Sequence, residues 1–279
     1  MKKRLNNGVM MPQLGFGTFL IPPGEETYNA VRYALEVGYR HIDTAQMYKN
    51  EKSVGDAIFD SGLARDEVFI TSKQMFHGPV EKMRAQFEQT LKDLRVDYLD
   101  LYLIHWPNHD AKINQQTWSL FESLYREKKI RAIGVSNFQR HHLQDLLKTA
   151  TVTPAVNQIE FHPGLSQRPT EKFLHSLNIE IVSYGPLMRG GIFQGRYFEV
   201  LDPIAKKYNK TIPQIVIAWG LMRGVFMIPK SATKSRIKEN FESQFIKLAE
   251  EDFEAIEQLN YGKRVYTDPD NSPWGRYEE

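Results

Sequence analysis

Short runs rich in β-branched, aromatic and aliphatic residues alternate along this chain with longer stretches of helical period. Eight runs are typical of strands, and the second to the seventh each begin 24 to 32 residues after the one before. Such a spacing holds one strand, one helix and two loops. Eight repeats of this unit predict a closed (β/α)₈ barrel of parallel strands. The predicted strands are Leu14–Thr18, Arg40–Asp43, Val68–Lys73, Tyr98–His105, Ile130–Ser136, Ala155–Gln158, Ile179–Tyr184 and Val225–Ile228.

The segments between the strands each have one apolar face. In the segment 80–94, Val80, Met83, Phe87 and Leu91 recur at steps of three and four residues, as one buried helix face requires. We expect eight helices to accompany the eight strands. The clearest helical segments are Glu26–Val37, Ser53–Ser61, Val80–Leu94, Thr117–Glu127 and His142–Leu147.

A doubly wound dinucleotide-binding sheet is the alternative fold. The run 15–20 has glycines at Gly15 and Gly17 but lacks the third glycine of that fingerprint, so the barrel is favoured. We expect one domain, residues 1–279, with three additions to the barrel. The first is an N-terminal hairpin, Met1–Pro12, that plugs the floor of the barrel. The second is a glycine-rich flap, Gly185–Gly195, and the third is a polar tail from Asn260 onward that lies over the active site.

Composition narrows the function classes. The chain is 41% hydrophobic and 25% charged. Its net charge of +2 is small and its basic residues are spread along the chain, which argues against a nucleic-acid partner. The absence of cysteine excludes disulfides, thiol nucleophiles and cysteine-bound metals. No apolar stretch is long enough to span a bilayer. The sequence therefore predicts a cytoplasmic protein, by default a monomer, that acts on a small molecule without a metal.

Four polar residues stand at the carboxyl ends of successive predicted strands, where barrel chemistry takes place: Asp43, Tyr48, Lys73 and His105. A phenol is a weak acid near neutral pH, and a neighbouring ammonium is expected to lower its pKa. We expect Asp43 to orient Lys73, Lys73 to tune Tyr48, and Tyr48 to protonate a carbonyl oxygen with His105 as second donor.

Each member of this set also has a simpler interpretation. Asp43 and Lys73 could form a structural ion pair, and a lone His105 is more often a core residue than a catalyst. Lys73 alone could form a Schiff base, as in barrel aldolases and lyases. The joint pattern favours carbonyl reduction.

These residues belong to motifs that occur in order along the chain. They include Gly15-Phe16-Gly17-Thr18, the segment 38–48, Phe69-Ile70-Thr71-Ser72-Lys73, Asp97 to Pro107, Ile133 to Phe138, Val156-Asn157-Gln158 and Ile228-Pro229-Lys230-Ser231. Together they resemble the aldo-keto reductase superfamily, in particular its short-loop bacterial members such as diketogluconate and glyoxal reductases. The resemblance runs from about Leu5 to Asn260. It implies reduction of aldehydes and ketones with a nicotinamide cofactor, in which the residues matching Asp43, Tyr48, Lys73 and His105 form the catalytic tetrad.

The resemblance also assigns a cofactor site across the barrel mouth. Ser136, Asn137 and Gln158 would hold the nicotinamide carboxamide, and Tyr184 would stack on its ring. Glu239 and Asn240 would contact adenine. The residues themselves favour NADPH, because Lys230, Ser231, Thr233 and Arg236 gather at a helix start, where a 2′-phosphate would be bound. The remaining cofactor positions are Gly17, Thr18, Asp43, Pro186 and Leu187.

The substrate walls are predicted to be apolar. Besides Tyr48 and His105 we assign Phe19, Met75 and Trp106 to substrate binding, with Trp274 in the tail nearby. A redox-sensing subunit that binds NADPH but turns over slowly, as in channel-associated members of the superfamily, remains an alternative function.

Overall fold

The computed structural model describes residues 1–279 and contains a curled sheet of eight parallel strands. Each strand pairs with the next one along the chain. Isolated bridges from Leu14 to Met227 and from Gly17 to Lys230 join the first strand to the last and close the sheet. The chain therefore forms the predicted (β/α)₈ barrel. Its strands are β3 (Phe16–Gly17), β4 (His41–Asp43), β5 (Phe69–Gln74), β6 (Leu99–Ile104), β7 (Ile130–Ser136), β8 (Val156–Glu160), β9 (Glu180–Tyr184) and β10 (Phe226–Met227).

The strand ends depart from the prediction by one to two residues at most positions. Among the departures, β8 continues to Glu160 instead of ending at Gln158, which brings a further carboxylate to the barrel mouth. The strand β3 is shorter than the predicted 14–18, because this part of the chain pairs with the last strand only through the two isolated bridges.

A hairpin precedes the barrel, as the sequence predicts. Its strands β1 (Lys2–Arg4) and β2 (Met10–Pro12) pair antiparallel. Leu5 and Met11 are buried in a cluster with residues from six barrel strands, including Leu101 and Phe226. The hairpin thus fills the floor of the barrel with apolar side chains.

Ten α-helices surround the sheet, so the expectation of eight was wrong. The two extra helices arise because both α7 and α8 follow β9, and because α10 follows α9 without a strand between them. The helices are α1 (Glu25–Val37), α2 (Glu51–Asp60), α3 (Val80–Leu94), α4 (Ala111–Arg126), α5 (Arg140–Leu146), α6 (Arg168–Ser176), α7 (Gly195–Tyr208), α8 (Ile212–Met222), α9 (Lys234–Glu242) and α10 (Glu250–Glu257).

The main apolar core lies between the outer face of the sheet and the helices. It contains 54 buried residues that extend along the chain from Leu14 to Leu259. No helix combines the length and the apolar character that a membrane span requires.

The glycine-rich segment after β9 is partly ordered as a 3₁₀ helix at Met188–Phe193. Met188 and Ile192 are buried in the main core, while Arg189 and Gly190 between them have positive φ angles of 52° and 90°. This segment is anchored by two apolar side chains, and its central residues are turned toward the barrel mouth.

Candidate active site

The barrel places all four predicted tetrad residues at one end. Asp43 is the last residue of β4, Lys73 lies near the end of β5, and His105 directly follows β6. Tyr48 ends a 3₁₀ turn, Gln46–Tyr48, in the loop between β4 and α2. Because parallel strands present their carboxyl ends at the same side of the barrel, residues distant in sequence meet there.

Lys73 is the centre of this group. Its fully buried ammonium donates hydrogen bonds to Asp43 Oδ1 at 2.6 Å, to the Thr44 carbonyl at 2.8 Å and to the Tyr48 hydroxyl at 3.3 Å. Since the phenolic oxygen accepts from Lys73, its own proton is free to be donated toward the barrel mouth. His105 lies beside Tyr48, with ring centroids 5.7 Å apart in an edge-on arrangement.

Burial dominates the ionisation of these groups. It raises the pKa of Tyr48 well above its ordinary value, and the negative charge of Asp43 raises it further. The expectation that Lys73 brings a net lowering of the Tyr48 pKa was therefore wrong, because desolvation outweighs the ammonium. Burial also lowers the pKa of Lys73, against the opposing effect of Asp43. In this site the phenol keeps its proton at neutral pH.

His105 is held as a neutral imidazole. Burial lowers its pKa well below the ordinary value, and the charge of Lys73 lowers it further. Its Nδ1 atom is buried without a hydrogen-bond partner. A neutral ring carries one N–H, so His105 can donate a single hydrogen bond without carrying charge.

A cavity of about 550 Å³ opens above the tetrad. Asp43, Tyr48 and His105 lie on its wall, while the buried Lys73 acts from behind them. Of the predicted cofactor and substrate positions, the cavity brings together Gly17, Phe19, Trp106, Ser136, Asn137, Gln158, Tyr184, Pro186, Leu187 and Lys230.

The amide and hydroxyl groups at the cavity base form a connected network. Gln158 donates to Asp43 Oδ2 at 2.8 Å, which leaves its amide oxygen free to accept. Asn137 donates to the His105 carbonyl at 2.9 Å and accepts from the Tyr184 hydroxyl at 2.7 Å. Ser136 donates to the Gln158 carbonyl at 2.9 Å. The network fixes the orientation of these polar groups beside the Tyr184 ring.

Thr18 is buried and does not line the cavity. Its backbone N–H and its hydroxyl both donate to the Asp43 carbonyl at 3.0 Å, so it positions the strand end that carries Asp43. Gly17 is needed for close packing, because a Cβ there would lie 2.8 Å from the Ile228 carbonyl oxygen. A side chain at this position would force β3 and the end of β10 apart.

The predicted phosphate-binding residues lie at the rim, around the start of α9. Lys230 lines the cavity, whereas Thr233 and Arg236 are exposed beyond it at the N-terminal end of the helix. Neither Lys230 nor Arg236 has a carboxylate partner, and the first turn of α9 contains no acidic residue. Of the other predicted positions in this region, the hydroxyl-bearing Ser231 is buried. The predicted adenine contacts are half-buried at Glu239 and buried at Asn240.

The substrate side is largely aromatic. Phe19 packs on Tyr48 with ring centroids 5.1 Å apart, and Trp106 packs on Trp274 of the tail at 5.0 Å. Met75 does not line this cavity. The strand β5 ends at Gln74, and the backbone N–H of Met75 then donates to Gln46, so its side chain lines a separate polar cavity between α2 and α3.

Several cavity residues were missed from the sequence. Trp274 was named only as a neighbour of the substrate walls, and Arg189 lies in the predicted flap but was not among the predicted site residues. Tyr266, Val265 and Thr267 were not identified at all, since the polar tail gives no local pattern that places them. The other unforeseen lining residues are Leu20, Met47, Ile228 and Pro229, whereas Gly185 and Gly190 belong to the predicted glycine-rich flap.

The cavity fits a dinucleotide cofactor. One end has a polar network with a free amide oxygen beside an aromatic ring. At the other end Lys230 lines the cavity, and Arg236 lies beyond the rim in the first turn of α9. These are the chemistries that a carboxamide-bearing ring and a phosphate need, respectively.

Comparison with known proteins agrees with this site. The chain belongs to the Aldo/keto reductase family, whose model matches residues 13–261. It is 48% identical to a 9,11-endoperoxide prostaglandin H2 reductase of Trypanosoma cruzi, over 96% of this chain and 94% of that protein. It is 46% identical to a glyoxal reductase of Bacillus subtilis, over 96% of this chain and 95% of the relative.

Solved structures of aldo-keto reductases are also similar to this chain. The aldo-keto reductase MGS-M4 from a Medee basin deep-sea metagenome library superposes with a TM-score of 0.91 at 42% identity, covering 98% of this chain and 99% of that one. A variant of Gox0644 solved in complex with NADPH gives 0.89 at 34% identity, with 98% of both chains covered.

Proposed function

We propose that this protein reduces aldehydes and ketones to alcohols with NADPH, using Tyr48 as general acid. The observation that carries the proposal is the position of the Lys73 ammonium, 2.6 Å from Asp43 and 3.3 Å from the Tyr48 hydroxyl at the base of a cavity. This arrangement leaves the phenolic proton facing the cavity.

The chain's own residues would act in the following way. The carbonyl oxygen of a substrate sits between the Tyr48 hydroxyl and the neutral His105 ring, and both donate to it. NADPH, when bound, supplies the hydride for the carbonyl carbon. As negative charge develops on the oxygen, Tyr48 transfers its proton, and the adjacent Lys73 ammonium stabilises the phenolate that remains. Because an alkoxide is a much stronger base than a phenolate, a phenol with a raised pKa can still protonate it.

The proposed cofactor site includes a binding site for the 2′-phosphate that distinguishes NADPH from NADH. The unpaired Lys230 and Arg236, with Ser231 and Thr233 beside them, support a phosphate site that NADH cannot use. The NADPH-bound Gox0644 neighbour supports the same cofactor for this fold. Ser136, Asn137, Gln158 and Tyr184 are proposed to hold the nicotinamide, while Pro186 and Leu187 cover the pyrophosphate. Glu239 and Asn240 are proposed to contact adenine.

Arg236→Met tests the phosphate assignment. We expect the Kd for NADPH to rise about tenfold while the Kd for NADH stays within about twofold, since one charge-assisted contact contributes about 1.4 kcal/mol. Lys238→Met is the matched control, because Lys238 is an exposed cation on the same helix that pairs with Glu242. Equal losses for both cofactors would contradict the assignment.

Small carbonyl compounds are the proposed substrates. Aromatic and apolar walls at Phe19, Trp106 and Trp274 support neutral aldehydes and dicarbonyls, and the similarity to a glyoxal reductase points to the same class. The similarity to an endoperoxide reductase adds prostaglandin endoperoxide to the compounds worth assaying.

We also propose that residues 1–279 act as one domain, as a cytoplasmic monomer. The continuous core supports a single domain. The cysteine-free composition fits a reducing compartment. Light scattering after size exclusion measures the mass directly, and a dimer would contradict the proposal.

The deciding assay follows NADPH absorbance with a panel of aldehydes, glyoxals and ketones. The proposal expects multiple-turnover oxidation of NADPH. A redox-sensing subunit would bind NADPH with a single slow turnover, and a Lys73 aldolase or lyase would be trapped on the protein by borohydride without NADPH. Either result would contradict the proposed function.

A further inference from the structure

The C-terminal tail is held down by a buried carboxylate. Glu160 ends β8, and its side chain is fully buried. Its oxygens accept from the backbone N–H of Val265 at 2.5 Å and of Tyr266 at 3.3 Å, and from His162 at 2.9 Å. Arg264 lies 3.4 Å from the same carboxylate. A buried carboxylate is stable only while its donors remain in place, so the barrel and the tail hold each other together.

Tyr266 reaches from this anchor to the segment after β9. Its ring meets Tyr184 edge-on, with centroids 5.3 Å apart. It also covers Gly185, where an added Cβ would lie only 2.3 Å from the Tyr266 ring. On its other side the Arg189 guanidinium lies 4.6 Å from the ring centroid. One tail side chain therefore contacts both ends of a turn that lines the cavity.

The contacted turn belongs to a loop that lines the cavity. We define the cofactor loop as residues 185–195. Its buried residues Met188 and Ile192 anchor it from below, whereas Arg189 and Gly190 face the cavity with positive φ angles. Above Arg189 the only aromatic partner is Tyr266. The contact is made by the C-terminal tail, beyond residue 261, where the match to the family model ends.

We propose that Tyr266 is a latch between the C-terminal tail and the cofactor loop, held in position by Glu160, and that it sets the rate at which NADPH leaves. The inference rests on the proposed cofactor site. Release requires Arg189 and Gly190 to move away from the cavity, and that movement breaks the cation–π contact and the ring packing on Gly185. The tail thereby controls cofactor exchange in addition to forming a substrate wall.

Two substitutions at Tyr266 separate the contribution of its aromatic ring from that of its hydroxyl. In stopped-flow displacement of NADPH from the otherwise native protein, Tyr266→Leu is expected to release the cofactor about tenfold faster, which corresponds to about 1.4 kcal/mol. Tyr266→Phe retains the ring and is expected to release it at nearly the wild-type rate. Trp274→Leu is the matched control, since Trp274 lies on the same tail but packs on Trp106 on the substrate side.

Hydrogen exchange of the cofactor-free protein gives a readout that does not depend on turnover. Tyr266→Leu should increase exchange in residues 185–191, and Glu160→Gln should increase it both there and in residues 264–267. Wild-type release rates and unchanged exchange in Tyr266→Leu would overturn the latch, as would an equal acceleration by Trp274→Leu. Because these are binding and exchange measurements, they can fail while carbonyl reduction remains intact, and a protein that binds no NADPH would overturn the cofactor assignment as well.

Discussion

The two ends of the barrel use buried charge for different purposes. At the floor, Asp100 is 1% exposed and both its carboxylate oxygens accept hydrogen bonds: Arg65 donates at 2.8 Å, Arg131 at 2.7 Å and the Ile70 N–H at 2.9 Å. At the mouth, the Asp43–Lys73 pair is equally buried but points at a phenol whose own proton has no partner. Charge is paired at both ends, and the difference lies in what it faces. At the floor the ion pairs contribute to stability, whereas at the mouth the pair lies beside a phenol whose proton is available for chemistry.

The largest effect is expected from Lys73→Met at the mouth. It removes the cation that stabilises the Tyr48 phenolate, so kcat/KM for aldehyde reduction should fall about 1,000-fold. It also leaves Asp43 buried with Gln158 as its main remaining donor, which should cost about 3 kcal/mol of unfolding free energy. Steady-state kinetics and chemical denaturation measure the two losses.

Lys52→Met is the control for Lys73→Met. Lys52 also pairs with an aspartate, Asp56, at 2.7 Å, but it is exposed on the surface of α2. Neither activity nor stability should change measurably, because exposed ion pairs contribute little. A drop in activity with Lys52→Met, or wild-type activity with Lys73→Met, would contradict the contrast between the two ends.

Asp100→Asn tests the floor. The substitution leaves Arg65 and Arg131 without a carboxylate, and we expect about 2 kcal/mol of lost unfolding free energy, because both arginines retain some access to water. At a temperature where the variant remains folded, kcat/KM should stay within about twofold of the wild-type value. A large catalytic loss without a stability loss would show that the floor takes part in the chemistry.

The smallest effect is expected from pH. Tyr48 has a raised pKa and stays protonated, and His105 has a lowered pKa and stays neutral. With NADPH saturating, kcat/KM for the aldehyde should therefore change little between about pH 6 and about pH 9. A fall on acidification with a midpoint near the ordinary histidine value of about 6.5 would show that His105 takes up a proton within this range, which would contradict the lowering of its pKa by burial.

The tetrad and the barrel could be predicted because both follow from local pattern. Strand ends in a parallel barrel meet at one side, so Asp43, Lys73 and His105 are brought together by their positions within the βα unit. Glu160 was missed through a strand end placed two residues too early. The sequence did contain a signal, since Glu160 continues the alternation of Gln158 along β8 and so shares its side of the sheet.

Other features depend on contacts between distant segments. Tyr266 contacts the cofactor loop from a tail whose backbone donates to Glu160, more than 100 residues away along the chain. Met75 was placed in the substrate pocket by its nearness to Lys73, but the chain turns after Gln74 and directs it elsewhere. The net direction of the Tyr48 pKa depends on how deeply the phenol is buried, and no sequence pattern gives that depth.

The central claim is that the Tyr48 hydroxyl donates the proton to the reduced carbonyl. Tyr48→Phe removes that oxygen and keeps the ring that packs on Phe19 and His105. The most direct measurement is single-turnover oxidation of bound NADPH by an aldehyde, with NADPH affinity titrated on the same sample. If Tyr48 is the acid, the rate falls by about 1,000-fold or more while the Kd for NADPH changes by less than about twofold. A variant that binds NADPH normally and retains more than about one-tenth of the wild-type rate would contradict this role for Tyr48.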